Sequence, residues 1–248
     1  MRTFGLIGFP LSHSFSKKYF EEKFLRDKIE DVQFINFELE KIETLPHLIQ
    51  SQPSLAGFSV TIPHKVSILP FLTEISDEAK EIGSVNCVKV MGNGRLCGFN
   101  TDAMGFEKSI RPFLENKFER ALILGTGGGS KAVAHVFRKL GIDFRFVSRN
   151  PLSKHEIGYD DLNSNSISHF RLIVNTTPLG TYPNVHACPA LPFDHLTSHH
   201  FVFDLVYNPA ETELLKRSRK QGCTTMNGLE MLHHQADASW RIWNTSSS

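Results

Sequence analysis

The sequence predicts an α/β protein built from two α/β domains, the second a doubly wound parallel sheet. Three observations carry this. Residues 121–133 (ALILGTGGGSKAV) are a short apolar run, then four glycines in five positions, then a helical pattern. From residue 120 onward, strand-like and helix-like segments alternate regularly, as parallel strands joined by crossovers require. The residues before it carry their own strand and helix signals, enough chain for a separate core.

In the first domain, residues 1–101, positions 3–8 read as a strand. Positions 16–28 read as a helix with Tyr19, Phe20, Phe24 and Leu25 on one face. Further strands are expected at 32–37 and at 55–60, the latter ended by Pro63, with a short helix at 42–50 despite Pro46. A helix follows at 76–82. Two strands, 87–91 and 95–99, are joined by a turn at Gly92-Asn93-Gly94. A helix over 102–114, within a linking segment that runs to 118, leads into the next domain.

The second domain, residues 119–227, has strands at 121–124, 144–148, 171–175 and 201–204 and helices at 129–140 and 210–221. The polar stretch 151–169 reads as a loop with a weak helix. In the last helix, Leu229, Leu232, Ala236, Trp240 and Trp243 recur at spacings of three and four, with Gly228, Met231 and Gln235 on a neighbouring face. Such a helix returns to the first domain, so 228–248 complete it.

Composition narrows the partners. The 248 residues are 40% hydrophobic and 21% charged, with a formal net charge of +1, so nothing favours a polyanion and a small ligand is expected rather than nucleic acid. The N-terminal apolar run is too short for a signal peptide and no 18-residue apolar segment exists, which predicts a soluble, cytoplasmic protein without a membrane partner. Cys87, Cys97, Cys188 and Cys223 form no C-x-x-C pair and read as free thiols, Cys87 and Cys97 flanking the hairpin close to each other. None of the twelve histidines has a metal-ligand spacing, so no metal is assigned.

The glycine turn, Gly125, Thr126, Gly127, Gly128 and Gly129, lets backbone N–H groups approach a pyrophosphate, with the positive end of the next helix behind them. Strand before and helix after make it a Rossmann-type dinucleotide site. At the end of the second strand, where an acidic residue would hold the ribose of NAD, the chain has Ser148, Arg149 and Asn150, with Lys154 beyond. A guanidinium suits a 2′-phosphate, so the cofactor predicted is NADP(H).

Polar residues also punctuate the first domain: Ser14 and Ser16, Thr61 and Lys65, Asn86, and Asp102. Each has a plainer reading in isolation, Ser16 and either Thr101 or Asp102 as helix caps and Lys65 as a solvated lysine. Taken in order, the segments resemble the shikimate dehydrogenase family: G-x-P-x-x-H-S-x-S at 8–16, V-T-x-P-x-K at 60–65, V-N at 85–86, G-x-N-T-D at 98–102, the glycine turn, S-R at 148–149, N-T-T-P-x-G at 175–180, D-L-V-Y-x-P-x-x-T-x-L-L at 204–215 and G-x-x-M-L-x-x-Q-A at 228–236.

That resemblance implies NADPH-dependent, reversible reduction of 3-dehydroshikimate to shikimate, in chorismate and aromatic amino-acid biosynthesis. It implies that Ser14, Ser16, Thr61, Asn86, Asp102, Tyr207 and Gln235 hold the substrate and that Lys65, paired with Asp102, is the acid–base. It places Asp77, Asn175, Thr176, Leu205 and Gly228 near the cofactor. Residue chemistry agrees: a polyhydroxy acid needs short polar partners, and an ammonium stabilises the negative charge that hydride delivery builds on a carbonyl oxygen. Phe9 and Ser148 depart from asparagines common in the family. A relative that also accepts quinate and a non-catalytic NADP-binding module stay open as alternatives, as does monomer or homodimer. A cleft between two such domains would exclude water on closing.

Overall fold

The computed structural model describes residues 1–11, 14–92, 94–114 and 118–245. Residues 12 and 13 of the first motif, Asn93 of the predicted turn, 115–117 of the linking segment and the tail 246–248 lie outside the described residues. The chain divides into two compact units, Met1–Met104 with Gln235–Ser248, and Gly105–His234.

The first unit contains β1 (Arg2–Gly8), α1 (Phe15–Arg26), β2 (Val32–Glu38), α2 (Leu45–Ser51), β3 (Leu55–Val60), α3 (His64–Ser67), β4 (Glu74–Ile75), α4 (Asp77–Ile82), β5 (Cys87–Val90) and β6 (Leu96–Phe99). Its sheet has the order β2-β1-β3-β5-β6-β4. β1 pairs in parallel with β2 and β3, whereas β5 is antiparallel to β3 and β6. Strand alternation splits the core over two faces. Phe4 and Leu6 join Phe20, Phe34 and Trp243 on one face, while Ile7 joins Leu45, Phe58 and Ile68 on the other.

Two expectations for this unit change. Helix α1 starts at Phe15, so Ser16 lies inside it rather than capping it, and Ser14 takes the cap position without a side-chain cap bond. Its buried face is Tyr19, Phe20, Lys23 and Phe24, and Leu25 is 81% exposed. Lys23 replaces it inside because its ammonium meets Asp237 at 3.0 Å and Asp27 at 3.1 Å. The cysteines are free, as expected, and in the β5–β6 pairing Cys97 stands opposite Lys89 and Cys87 opposite Phe99, which makes Cys87 and Cys97 diagonal neighbours on one face of the hairpin.

Helix α5 (Asp102–Leu114) leads into the second unit, with β7 (Arg120–Leu124), α6 (Gly128–Lys139), β8 (Asp143–Ser148), β9 (Glu156–Gly158), α7 (Ser164–His169), β10 (Leu172–Asn175), β11 (Phe201–Asp204), α8 (Glu213–Lys220) and β12 (Thr224–Met226); the last helix, α9 (Leu229–Asn244), belongs to the first unit from Gln235 onward. The sheet order is β12-β11-β10-β7-β8-β9, every pairing parallel, which bears out the doubly wound prediction. The stretch expected to be a loop also holds β9, and α7 is capped by Asn163, whose side chain accepts from the N–H groups of Asn165 and Ser166. Strand order reverses between β7 and β10, and the crevice beyond the carboxyl ends at such a point is where ligands bind in this class of sheet.

No described helix is long and apolar enough to cross a membrane.

Candidate active site

In the first unit the polar residues gather where β3 and β6 end and the antiparallel β5 begins. Thr61 follows β3, its N–H bonded to Ile7 O at 2.9 Å. The chain then turns into α3, a single turn fixed at its start by bonds to two other segments. His64, buried, donates from Nε2 to Leu39 O at 2.6 Å, and Val85 N–H donates to Lys65 O at 2.8 Å. Lys65 therefore stands on a short but clamped platform.

Asp102 is the first residue of α5, where the helix N-terminus favours a carboxylate. The turn before it is held by Asn100, which accepts from Ala103 N–H at 3.0 Å and donates to Ser84 O at 2.9 Å. Lys65 Nζ meets Asp102 Oδ2 at 2.5 Å, the lysine side chain 18% and the aspartate 6% exposed. Asn86 Nδ2 donates to Asp102 Oδ1 at 2.9 Å and lies 3.5 Å from Gln235 Oε1. Lys65, Asp102, Asn86 and Gln235 thus form one connected group, and Lys65 is not the solvated lysine its position alone suggested.

Ser14 and Ser16 lie at the start of α1, after β1, the parallel neighbour of β3. The Ser14 hydroxyl oxygen is buried with no hydrogen-bond partner among the described residues, a polar atom that a bound hydroxyl or carboxylate would satisfy. Asp77 does not join this group. It is fully exposed on the first turn of α4 and bonds Lys80 at 3.0 Å.

In the second unit the glycine turn follows β7 and Asn175-Thr176 follow β10, side by side at the strand reversal. Gly125 has φ +100°, and a β-carbon there would come within 2.9 Å of Thr177 Cγ2, so glycine is required on both counts. Gly127 caps α6, and a β-carbon added to it meets nothing within 4 Å among the described residues, leaving the backbone open to a ligand. Ser130 Oγ, buried below, donates to Gly127 O at 2.6 Å and braces the turn. Thr126 is exposed, and Gly128 and Gly129 form the first turn of α6.

Arg149 and Asn150 are exposed beyond β8, whose end pairs with that of β7 through Val147 and Leu124. Ser148 accepts from Asn150 N–H at 3.2 Å, which shapes this corner, and Lys154 is exposed further on. The open glycine turn and the basic corner fit NADP: the turn and helix N-terminus would hold the pyrophosphate, and Arg149 the 2′-phosphate.

Asn175 does not reach outward. It is wholly buried, donating to Asp204 Oδ1 at 2.8 Å and accepting from Thr177 N–H at 3.0 Å, so it supports the turn from beneath. Thr176 Oγ1 donates to Leu124 O at 2.6 Å. Asp204, quoted in a motif but given no role from sequence, is the anchor. It also accepts from Val206 N–H at 3.0 Å and Thr212 Oγ1 at 2.6 Å, while burial pushes its carboxyl up to about 6. Leu205 and Tyr207, both half-buried, follow from it. Gly228 packs on the same segment: its N–H donates to Val206 O at 3.1 Å, and a β-carbon there would overlap the Leu205 carbonyl.

Comparison with known proteins agrees with this chemistry. The profile of the shikimate dehydrogenase substrate binding domain matches residues 6–88. The chain is 37% identical to shikimate dehydrogenase (NADP(+)) of Methanococcus aeolicus, across 98% of this chain and 91% of that one. Shikimate 5-dehydrogenase of Thermus thermophilus, solved with NADP(H) and shikimate, is 30% identical with a TM-score of 0.86, covering 98% of this chain and 94% of that one. Quinate dehydrogenase from Corynebacterium glutamicum, solved with NAD, is 28% identical with a TM-score of 0.85, covering 98% and 93%. Identity sustained over nearly the full length of both chains leads to one assignment: this chain belongs to the shikimate dehydrogenase family.

Proposed function

We propose that this protein catalyses the reversible NADPH-dependent reduction of 3-dehydroshikimate to shikimate, a step toward chorismate and the aromatic amino acids. The observation that carries this reading is the Lys65–Asp102 pair at 2.5 Å, largely withdrawn from solvent and tied to Asn86. A site that only bound an acid would need a cation; it would not need that cation paired with a buried carboxylate poised to exchange a proton.

NADPH, when bound, supplies the hydride. Lys65 then stabilises the charge growing on the carbonyl oxygen and gives it a proton from Nζ, while Asp102 keeps the ammonium aimed and takes part in the proton exchange. In the oxidative direction the neutral amine accepts the proton of the alcohol. Ser14, Ser16, Thr61, Asn86, Tyr207 and Gln235 hold the ring hydroxyls and carboxylate; Ser14 is suited by its unsatisfied buried hydroxyl. The glycine turn, Ser148, Arg149, Asn150, Lys154 and Thr176 serve the cofactor, with Asn175 beneath them and Leu205 and Gly228 alongside. The protein works in the cytoplasm, as a monomer or homodimer.

The test is the absorbance of NADPH formed by purified protein with NADP⁺ and either shikimate or quinate. Formation with shikimate supports the reading, equal rates with quinate would make it a broad-specificity relative, and no change with either would overturn it.

A further inference from the structure

The hydrogen bonds around Asn86 extend away from the substrate side into the buried interior of the first unit. Asn86 Oδ1 accepts from Thr101 N–H at 2.6 Å, and Asn86 Nδ2 donates to Thr101 Oγ1 at 3.0 Å as well as to Asp102 Oδ1. Thr101 Oγ1 lies 3.1 Å from Ser239 Oγ, and Ser239 donates to Gln235 O at 2.9 Å. Thr101 and Ser239 are both fully buried, and neither belongs to the set expected to touch substrate.

The protons can be assigned along this chain. The Ser239 hydroxyl proton is taken by Gln235 O, so between the two hydroxyls Thr101 is the donor and Ser239 the acceptor. With its proton directed to Ser239, Thr101 Oγ1 presents lone pairs to Asn86 Nδ2. The Thr101 N–H can only donate, which fixes Asn86 Oδ1 toward it. Both ends of the carboxamide are thereby fixed and a flip is penalised at two bonds. The remaining Nδ2 hydrogen has one direction left, Asp102 Oδ1, which leaves Oδ2 for Lys65.

We infer that Thr101 is a positioning residue for the Lys65–Asp102 pair, acting through the orientation of the Asn86 carboxamide, and that Ser239 holds the Thr101 hydroxyl in its accepting state. The inference deepens the proposed function and rests on it for the meaning of the pair. The lock itself is a property of the free protein. Removing the Thr101 hydroxyl frees one Nδ2 hydrogen, whose next acceptor is Gln235 Oε1 at 3.5 Å; the carboxamide is then held on that side by the Thr101 N–H alone, and reaching for Gln235 tilts it off its line to Asp102 Oδ1.

The experiment compares Thr101→Val, Thr101→Ser and Ser239→Ala with the parent by two readouts. In the free protein, side-chain NH₂ resonances of Asn86 are followed by NMR for solvent exchange. Slow exchange is expected in the parent and Thr101→Ser, and at least about tenfold faster exchange in Thr101→Val. With shikimate and NADP⁺, kcat is expected to fall about tenfold in Thr101→Val at unchanged KM for NADP⁺, to return within about threefold in Thr101→Ser, and to fall only about two- to fivefold in Ser239→Ala. The last change is small because Thr101 can redirect its proton to Asn86 Oδ1 at 3.2 Å.

Fast exchange of Asn86 in the parent, or a folded Thr101→Val with parental exchange and kcat, would overturn the inference. If Thr101→Val fails to fold, a Ser239→Ala protein with Asn86 exchange and kcat both equal to the parent's would overturn the Ser239–Thr101 arm, and fast Asn86 exchange in the parent would overturn the whole. An inactive parent with slow Asn86 exchange would defeat the proposed function and leave the lock standing.

Discussion

Trp243 sits on Gly57: a β-carbon at Gly57 would overlap the indole Cδ1, and the indole N–H donates to Val88 O at 3.0 Å across the same sheet. The last helix is thus fastened to β3 and β5 by one side chain that needs a bare backbone beneath it. Phe4 stacks on the indole from β1, with ring centroids 5.1 Å apart.

Gly57→Ala should therefore destabilise the first unit by about 2–4 kcal/mol, the cost of overpacking a buried aromatic seat. Trp243 would also lose its buried environment, so its fluorescence should shift to the red before the main transition in a denaturant titration. Pairing Gly57→Ala with Trp243→Leu should cost less than the sum of the two single changes. A Gly57→Ala protein with the parental midpoint would show that the indole can move aside freely.

What the sequence made legible, and what it did not, follows from the range of the interactions. The strand β7, glycine turn and α6 are local: an apolar run, a backbone that must turn past Thr177, and a 3.6-residue period all lie within a few positions of each other. Lys23 in place of Leu25 was not legible, because the carboxylate of Asp237 that lets an ammonium be buried comes from the other end of the chain. Helix α3 is four residues long after a proline and has no period to detect, so Lys65 carried no structural signal of its own. β4, β9 and β12 are strands of two or three residues and fall below what alternation can reveal. The grouping of Lys65, Asn86, Asp102 and Gln235 came from family resemblance, since no local spacing brings residue 86 to residue 235.

Lys65→Ala should reduce kcat for shikimate oxidation by about a thousandfold, within the range for loss of a general acid–base. NADPH affinity, read by quenching of protein fluorescence, should stay within about twofold, since the lysine serves the acid rather than the pyrophosphate. Near-parental turnover would remove Lys65 from the chemistry.

Arg149→Ala should lower the ratio of kcat/KM for NADP⁺ over NAD⁺ by about ten- to a hundredfold, the value of roughly 1.5–3 kcal/mol for a charge-assisted bond to phosphate. Arg149 is exposed at the end of β8, so the substitution should leave thermal stability unchanged. The discriminating measurement is the pair of kcat/KM values in parent and variant at one ionic strength. An unchanged ratio would shift the 2′-phosphate to Lys154 or to backbone groups.

Asp204 gives a pH dependence whose sign can be fixed in advance. Burial is the largest influence on its carboxyl and raises it from 3.8 to about 6, while bonds from Thr212, Val206 and Asn175 act in the opposite direction. Because the folded value lies above the unfolded one, the folded state binds the proton more tightly. The associated stability is fully present below about pH 3.8 and is lost as pH rises through about 6. At neutral pH the charged carboxylate is retained at a cost of up to about 3 kcal/mol relative to its acid form. Asp204→Asn keeps an acceptor for Asn175 and Val206, and Thr212 can accept from the new amide, so that cost disappears with the charge. The difference in unfolding free energy between Asp204→Asn and the parent should therefore move in favour of the variant as pH rises from about 3.5 to 7.5, the change accumulating between about pH 4 and 6 and levelling off above. Denaturant titrations of both proteins across that range measure it directly. A difference that stays flat with pH would mean that the three donors hold the carboxylate ionised throughout, and that Asp204 anchors the Asn175 and Val206 segments as a charge rather than as an acid.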